Sequence, residues 1–413
     1  MRIQRRSGER VPGLTHLVKV ENTAGIETHF TEFVRRARAI HPQWTQAWLN
    51  PQRAAHPYFA ADLAAALTST VRTKYLWGVP LPSRPEVIRR WNFRRALRRA
   101  RTDALMIWNR SSKMAFALDV FDADRCIHWE HGAAWEPGRE RERQDYFRRV
   151  GSAIANSHAA ERVLRLLWNY SGDIHVCRNA LRPSLKPSAP VSKRYPTGPV
   201  KLGVAARLRP VKGIALVLHA VKVLATEGRD VELEIAGTGP ELERLQALAR
   251  SLGIERRVRF LGAVRNMEAF YRSIDCLVHP PLTEAFGLVA IEAAAQGCPV
   301  VASAIDGLPE AVADGISGYT VPPSQPLSDY QALGGGSTHD MPALVYDPAR
   351  DILVPPSLVD PAALAAAVAR VLSNAAEFER LSHAASQHVV RSFDFDRHVG
   401  DVMGVAEASL RSH

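Results

Sequence analysis

Residues 283–303 read TEAFGLVAIEAAAQGCPVVAS, and this stretch decides the fold class of the chain. A strand-like apolar run ends at His279 just before it, a helix begins near Gly287, and a second apolar strand occupies 299–303. Two buried strands joined by a helix form a β-α-β unit, which requires parallel strands covered by helices. The stretch therefore predicts an α/β fold built on a parallel sheet.

Strand-like and helix-like patterns alternate on both sides of this unit. Short apolar or alternating runs are typical of strands, and apolar residues three and four positions apart are typical of helices. In the second half these patterns predict strands at 202–206, 231–236, 258–261 and 276–279 and helices at 213–225, 267–274 and 287–296; in the first half they predict strands at 16–20, 104–108, 125–128 and 153–156 and a helix at 25–39. A doubly wound sheet is therefore predicted in the second half, and another fits the first half.

The length of 413 residues predicts about two domains, because one hydrophobic core rarely serves so long a chain. Residues 182–199 are rich in proline and lack apolar periodicity, which is typical of a linker. We therefore expect an N-terminal domain at 1–190, a C-terminal domain at 191–394, and a helix at 395–413 that crosses back to the N-terminal domain. Residues 322–358 are expected to be an insertion or a mobile loop, because they are too long for an ordinary connection.

The composition is typical of a globular protein of the cytoplasm. No run reaches the roughly 18 apolar residues that span a bilayer, and residues 1–6 are basic but precede no apolar run, so no secretory signal is expected. The four cysteines are widely separated, and three lie in or beside strand-like runs, which favours reduced, buried thiols. We therefore expect a cytoplasmic location.

The net charge of +11 has its clearest block in residues 89–101, RRWNFRRALRRAR. As a helix, this segment would have a cationic face with Trp91, Phe93 and Leu97 near it. Three interpretations stay open: a solvated surface helix, a patch for an anionic membrane surface or lipid-linked acceptor, and contact with nucleic acid. No recognition helix, RNA-binding aromatic signature or zinc finger accompanies it, so we expect no nucleic-acid partner. A peripheral position on the inner face of the membrane is an additional expectation.

Two acidic residues flank the start of the helix in the opening stretch, Glu284 in the loop before it and Glu292 within it. The N–H groups and partial positive charge of a helix N-terminus bind anions such as a diphosphate, and Gly287 lets the backbone approach a ligand. Glu292 is an isolated acid on an apolar helix, and a buried carboxylate needs polar partners or a function. Both hydroxyls of a ribose would satisfy it. The structural alternative is that Glu284 caps the helix and Glu292 pairs with a basic neighbour.

The two glutamates, separated by seven residues, are followed by GCPVVA at 297–302, GLPE at 307–310 and DGISGY at 314–319. In these motifs the chain resembles the retaining glycosyltransferase family 4, over nearly all of residues 200–320. The resemblance implies the GT-B fold, in which two Rossmann-like, doubly wound domains face each other across a cleft. The N-terminal domain would then bind the acceptor, and the C-terminal domain would bind the nucleotide sugar.

The same resemblance implies roles for the residues around the helix start. Glu284 is expected to contact the donor sugar and Glu292 the nucleotide ribose. The backbone N–H groups of Phe286, Gly287 and Leu288 are expected to face the sugar and the phosphates.

A basic loop, ARLRPVKG at 206–213, follows the first strand of the second half. Two cations at the mouth of a parallel sheet would neutralise a diphosphate leaving group, and by resemblance to the family these cations are Arg207 and Lys212. Without the resemblance, basic residues in a loop are usually just solvated. The family pattern also places Gly237 in the lining of the nucleotide pocket and Val264 against the base.

Two residues of the first half also correspond to positions of the family pattern. Gly25 corresponds to the glycine loop that closes over the donor phosphates, but Ala24 stands where the family more often has a second glycine, so an ordinary helix start is the alternative. His131 corresponds to the histidine that touches donor hydroxyls near the reacting carbon. It is preferred over His128 because Gly132 follows it.

Two Asp-x-Asp triplets occur, at 122–124 and 394–396. In another glycosyltransferase fold such a triplet holds a divalent metal. Here neither lies in a convincing context, and we interpret both as surface turns or caps. Because the cationic pair supplies the charge that a metal would bring, no metal and no cofactor are expected.

The resemblance therefore implies a retaining, metal-independent glycosyltransferase. The expected donor is a nucleotide-diphosphate sugar, with a UDP-sugar favoured. The expected acceptor is a hydroxyl group, on a glycan or lipid-linked saccharide of cell-surface polysaccharide or lipopolysaccharide synthesis or on a small molecule. Two alternatives stay open: a nucleotide-sugar epimerase on the same fold, and a non-catalytic protein that binds nucleotide sugars.

Overall fold

The computed structural model describes residues 11–21, 25–52, 54–76, 78–82, 85–109, 111 and 114–411. The basic residues 1–6 and positions 23–24 of the predicted glycine loop lie outside the described residues. Two parallel sheets form the centres of the molecule, and helices cover them.

The first sheet consists of seven parallel strands. They are β1 (Gly13–Leu17), β2 (Thr45–Asn50), β3 (Ser69–Arg72), β6 (Ala104–Trp108), β7 (Cys126–Glu130), β8 (Ser152–Ala155) and β9 (Asp173–Val176), beside a small antiparallel pair, β4 (Tyr75–Leu76) and β5 (Val79–Pro80). Their order is β3-β2-β1-β6-β7-β8-β9. The helices of this half are α1 (Gly25–Ile40), α2 (Pro57–Ala66), α3 (Glu86–Ala100), α4 (Glu140–Phe147) and α5 (His158–Leu166).

The second sheet consists of six parallel strands. They are β10 (Val200–Ala205), β11 (Val231–Ala236), β12 (Val258–Gly262), β13 (Cys276–His279), β14 (Val300–Ser303) and β15 (Gly318–Val321), in the order β12-β11-β10-β13-β14-β15. The helices are α6 (Ile214–Thr226), α7 (Leu242–Ser251), α8 (Met267–Ser273), α9 (Leu288–Ala295), α10 (Leu308–Ala311), α11 (Pro361–Val371) and α12 (Ala375–Ser392). Both sheets reverse their strand order in the middle, and ligands of such sheets bind where the order reverses, beyond the carboxyl ends of the strands.

The first strand differs from the prediction, since it lies at Gly13–Leu17 and not at 16–20. Two of its polar side chains are buried and hydrogen-bonded inside the protein. Thr15 contacts the hydroxyl of Thr102 at 2.8 Å, and His16 Nε2 lies 2.6 Å from Gln46 Oε1. A strand that buries satisfied polar groups lacks the apolar continuity by which buried strands are recognised in a sequence.

The chain passes between the two sheets twice. Residues 177–199 lead from β9 to β10, and after α12, which packs against α9, the chain returns to a last helix, α13 (Phe395–Arg411). The apolar side of α13 shares one core with the aromatic residues of α1 and the first sheet. The two crossing segments lie side by side, because Leu181 N–H donates to the carbonyl of Phe393 at 3.0 Å and Lys186 Nζ lies 2.7 Å from Asp394.

Residues 322–358 contain two small antiparallel pairs, β16 (Gln325–Pro326) with β19 (Ser357–Leu358) and β17 (Val345–Asp347) with β18 (Ile352–Val354). Tyr330 is buried and donates its hydroxyl hydrogen bond to the carbonyl of Pro210 at 2.7 Å. Asp351 accepts two hydrogen bonds from Arg162 of α5, at 2.6 and 2.9 Å. This segment therefore contacts both the basic loop of the second half and a helix of the first.

None of the helices in the described part of the chain combines the length and apolar composition that crossing a bilayer requires.

Candidate functional site

Helices α1 and α9 begin next to each other across the interface between the two halves. A Cβ atom built on Gly25, the first residue of α1, would lie 3.9 Å from Cδ1 of Leu288, the first residue of α9. Gly287 precedes α9 with φ of 97°, and a Cβ there would lie 2.5 Å from Leu308, so the position requires glycine. Two helix N-termini at one place concentrate N–H groups and partial positive charge, which favours an anionic ligand.

Glu284 and Lys212 form an ion pair close to these helix starts. Lys212 Nζ lies 2.6 Å from Glu284 Oε2, and His279 Nε2, at the end of β13, lies 3.5 Å from the same oxygen. Burial alone would raise the pKa of Glu284, but the charge of Lys212 and the neighbouring His279 lower it well below its usual value. Glu284 is therefore an ionised carboxylate, with about a fifth of its side chain (21%) exposed to solvent.

The two cations of the basic loop differ in their surroundings. Lys212 ends a short 3-10 turn before α6. The next residue, Gly213, lies so near the carbonyl of Pro280 that a Cβ atom built on it would be 2.0 Å from that oxygen. Arg207 lies just beyond β10, is exposed, and makes no ion pair with any residue that the structure describes. The structure thus brings Lys212 to Glu284 and leaves the Arg207 guanidinium free for a ligand.

Glu292 lies within α9 and is buried, with two polar partners. Its Oε2 accepts a hydrogen bond from the Tyr271 hydroxyl at 2.9 Å, and its Oε1 lies 3.0 Å from Nε of Arg182 in the crossing segment. Burial raises the pKa of Glu292, and Arg182 and Tyr271 oppose that rise. One part of the structural alternative is therefore met, because Glu292 pairs with a basic residue, Arg182. The other part is not, because no side chain caps α9 and Glu284 is therefore not its cap.

The predicted nucleotide-pocket residues lie at the ends of neighbouring strands. Gly237 follows β11 with φ of 149°, and a Cβ there would lie 1.8 Å from the carbonyl oxygen of Ala206, directly beside Arg207. Val264 follows β12 and is half-buried against the same core cluster that contains Phe286. The glycine turn, the basic loop and the start of α9 therefore all lie beyond the carboxyl ends of the strands of the second sheet.

His131 lies just beyond the carboxyl end of β7, an inner strand of the first sheet. Its ring stacks on Trp108 with 5.2 Å between ring centroids, and its Nε2 is buried without a hydrogen-bond partner among the described residues. Burial lowers the pKa of His131 to about 3, although Glu130 opposes this, so the imidazole is neutral. A Cβ built on Gly132 would lie 3.5 Å from the Cβ of Ala285. The His131 loop therefore abuts the loop that carries Glu284.

Glu130 was not predicted as a site residue, yet it determines the shape of the His131 loop. It is fully buried and accepts hydrogen bonds from the N–H groups of Gly132 at 2.5 Å and Ala134 at 3.0 Å, while its other oxygen lies 3.0 Å from His128 Nε2. Burial would raise the pKa of Glu130, but these partners lower it overall. His128 thus has a structural role, which fits the choice of His131 for the site. A charged residue at the end of an apolar strand was the signal in the sequence.

Two further histidines lie behind His131. His29, in the first turns of α1, has its ring centroid 5.6 Å from that of His131, and its Nε2 lies 3.0 Å from Nε2 of His398 on α13. Burial, and then the neighbouring His398 and His131, lower the pKa of His29 well below its usual value. Neither residue is marked by the sequence, because their pairing joins positions at opposite ends of the chain.

The aspartate triplets act as caps. Asp122 accepts a hydrogen bond from Asp124 N–H at 3.1 Å, and Asp394 accepts from the N–H groups of Asp396 and Arg397, both at 3.0 Å, at the start of α13.

Comparison with known proteins agrees with this architecture. Residues 187–330 match the family model described as glycosyl transferases group 1. Over 180 residues the chain is 38% identical to the D-inositol 3-phosphate glycosyltransferase of Streptomyces griseus subsp. griseus, a stretch that covers 40% of this chain and 38% of that protein. The chain therefore matches less than two fifths of this relative's length.

Solved structures match nearly the whole chain in fold. The sucrose-phosphate synthase from Thermosynechococcus elongatus is similar with a TM-score of 0.71 and 17% identity, covering 97% of this chain and all of that one. Anabaena Alr3699/HepE, solved in complex with UDP and glucose, is similar with a TM-score of 0.69 and 17% identity, covering 96% of this chain and all of that one. The predicted GT-B fold is confirmed, and residues 187–330 are similar to the group 1 glycosyl transferases, as the motifs of that stretch predict.

Proposed function

We propose that this chain, whose residues 187–330 match the group 1 glycosyl transferases, moves a glycosyl group from a nucleotide-diphosphate sugar to a hydroxyl acceptor. One observation carries the proposal: Lys212 and Glu284 form an ion pair beside the place where α1 and α9 begin next to each other. A diphospho-sugar needs positive charge and helix N-termini for its phosphates and a carboxylate for its sugar hydroxyls. This site offers both.

In the proposed reaction, the bond between the anomeric carbon and the diphosphate breaks, and a bond to the acceptor oxygen forms on the same face of the sugar. The acceptor proton passes to the departing phosphate oxygen. Arg207, Lys212 and the N-terminus of α9 stabilise the negative charge that develops on the diphosphate, so the proposal includes no metal. The neutral His131, which is partly exposed at the end of β7, accepts a hydrogen bond from a donor hydroxyl. Retention rests on the family resemblance.

We propose UDP as the nucleotide and a glycan or lipid-linked saccharide as the acceptor. The bound UDP and glucose of the structurally similar HepE support the donor. In this chain Glu292 would exchange its contact with Arg182 for the ribose hydroxyls, and Val264 would pack on the base. Contacts with Gly237 and with the N–H groups of Phe286 to Leu288 complete the proposed pocket.

The experiment that tests this function measures the release of nucleoside diphosphate. We expect UDP to raise the melting temperature more than GDP or ADP, because UDP is the proposed nucleotide. A ligand at about 100 times its Kd stabilises the fold by about 2.7 kcal/mol. With UDP-glucose and a panel of saccharide acceptors, we expect UDP release that depends on the acceptor. An isomerised sugar formed without acceptor would instead indicate an epimerase, and binding without release would indicate a binding protein.

Helix α3 supports a peripheral position at an anionic membrane surface, which is also part of our proposal. Arg94, Arg98 and Arg99 are exposed along it, beside Val87 and Trp91, whose exposed fractions are 73% and 53%. An exposed tryptophan among arginines suits the interface between lipid headgroups and acyl chains. A lipid-linked acceptor would be held at the same surface.

The double substitution Arg98→Glu and Arg99→Glu should weaken binding to phosphatidylglycerol vesicles about 30-fold or more, since each basic residue near an anionic surface contributes about 1 kcal/mol. Cosedimentation with vesicles measures this. The matched control is Arg229→Glu with Arg250→Glu, two exposed arginines of the second half that change the net charge equally. Equal loss of binding in both double variants would contradict a specific role of α3.

A further inference from the structure

Asp306 combines two features that each cost free energy. It lies between β14 and α10, its φ is 48°, and only 1% of its surface is exposed. A positive φ is uncommon for any residue but glycine, and a buried carboxylate loses its hydration. Strained backbone of this kind persists where the surrounding structure determines it, and it clusters at functional sites.

The carboxylate of Asp306 accepts four hydrogen bonds. Oδ1 accepts from Trp135 Nε1 at 2.9 Å and from Tyr346 N–H at 2.7 Å. Oδ2 accepts from the Thr283 hydroxyl at 2.6 Å and from Glu284 N–H at 3.0 Å. Burial raises the pKa of Asp306 to about 6, and the four donors oppose that rise. Four hydrogen bonds to two oxygens favour the ionised form, which a pKa of about 6 allows at neutral pH.

These donors come from three separate parts of the chain. Trp135 belongs to the first half and ends the short turn that follows the His131 loop. Thr283 and Glu284 are in the loop before α9. Tyr346 belongs to β17, in the segment 322–358. A single carboxylate therefore joins the His131 loop of one domain to the Glu284 loop of the other.

Two further contacts tie the Glu284 loop to its surroundings at this point. Ser157, just before α5 of the first half, donates its hydroxyl hydrogen bond to the carbonyl of Ala285 at 2.7 Å. Gly307 N–H donates to the carbonyl of Glu284 at 3.1 Å. The backbone on both sides of the Glu284 side chain is thus fixed, partly by the first domain and partly by Asp306 and its neighbour.

We propose that Asp306 is a positioning residue that couples the contact between the two domains, made through Trp135, to the placement of Glu284. When the domains separate, the Trp135 donor is withdrawn and the carboxylate becomes free to rotate away from Thr283 and the Glu284 amide. When they meet, the fourth donor restores its orientation, and Glu284 is set beside Lys212. This inference rests on the proposed function, since it assigns Glu284 a part in sugar transfer.

The test compares Trp135→Phe with Trp48→Phe. Both substitutions remove an indole N–H from a buried ring of the first domain; Trp48 donates within that domain, to the carbonyl of Val18 at 3.1 Å. We expect Trp135→Phe to lower kcat about tenfold, and Trp48→Phe to change it by no more than about twofold, with similar losses of melting temperature. Equal changes of kcat in the two variants would overturn the proposal.

A second readout does not depend on activity. Hydrogen exchange of the peptide that contains the Glu284 amide should become about tenfold faster in Trp135→Phe and stay unchanged in Trp48→Phe. Asp306→Asn, whose side chain tolerates the positive φ, should lower kcat, and the double variant with Trp135→Phe should be no worse than Asp306→Asn alone. Additive losses, or unchanged exchange, would overturn the coupling. A wild-type protein that transfers no sugar would refute the proposed function, while the exchange experiment would still decide the role of Asp306.

Discussion

Replacing Lys212 with alanine should lower the turnover number for sugar transfer about 100-fold or more. In the proposed site Lys212 stabilises the leaving diphosphate together with Arg207, and one charge-assisted contact to a developing anion contributes roughly 3 kcal/mol. The substitution also removes the partner of Glu284, 2.6 Å away, and among the described residues it leaves that carboxylate with His279, 3.5 Å away. Steady-state release of nucleoside diphosphate at saturating donor measures the effect.

Lys222→Ala serves as the matched control for this prediction. Lys222 is exposed on α6, the helix that begins just after Lys212, and we expect its substitution to leave turnover within about twofold. Lys212→Arg keeps the charge and should retain part of the activity. A folded Lys212→Ala protein with wild-type turnover would refute the assignment of Lys212 to the leaving group.

Replacing Glu130 with alanine should lower the free energy of unfolding by about 3–5 kcal/mol. Glu130 is fully buried, and its removal leaves the N–H groups of Gly132 and Ala134 and the ring of His128 without their acceptor. Denaturant unfolding followed by circular dichroism measures the loss. Glu379→Ala, an exposed position on α12, is the control, with an expected change within about 0.5 kcal/mol.

The effect of Glu130→Ala should also depend on pH. Because the pKa of Glu130 is lowered in the folded protein, its contribution to stability is present above its unfolded pKa of about 4.5 and is lost as the pH falls through the folded value. The difference in stability between wild type and Glu130→Ala should therefore shrink below about pH 4.5. A difference that stays constant from neutral to acid pH would show that packing, and not the carboxylate charge, is what the substitution removes.

The parts of the molecule that were predictable from the sequence are those in which neighbouring residues determine the structure. The apolar runs of the second half gave its sheet, because buried parallel strands are continuous apolar segments bounded by turns. The motif around Glu284 gave the start of α9, since Gly287 and the apolar residues after it are local signals. The sequence placed Lys212 and Glu284 in one site, and they follow the adjacent strands β10 and β13, but their ion pair was not predicted.

The rest depends on contacts between distant parts of the chain. Arg182 reaches Glu292 from the proline-rich crossing segment, and Trp135 reaches Asp306 from the other domain. The residues around Arg182 and Trp135 show no local sequence pattern from which these partners could be predicted. The residues of β1 were misplaced by a few positions for a related reason: the partners of Thr15 and His16, which make their burial favourable, lie on other strands.

The two crossing segments, joined by the hydrogen bond from Leu181 to Phe393, have a mechanical consequence. Two connections that lie side by side restrict the relative rotation of two domains more than a single connection does. We therefore expect the two domains to open by a hinge rotation near residues 181 and 393 and not by sliding past each other. Each closure would return Trp135 of the N-terminal domain to Asp306 of the C-terminal domain.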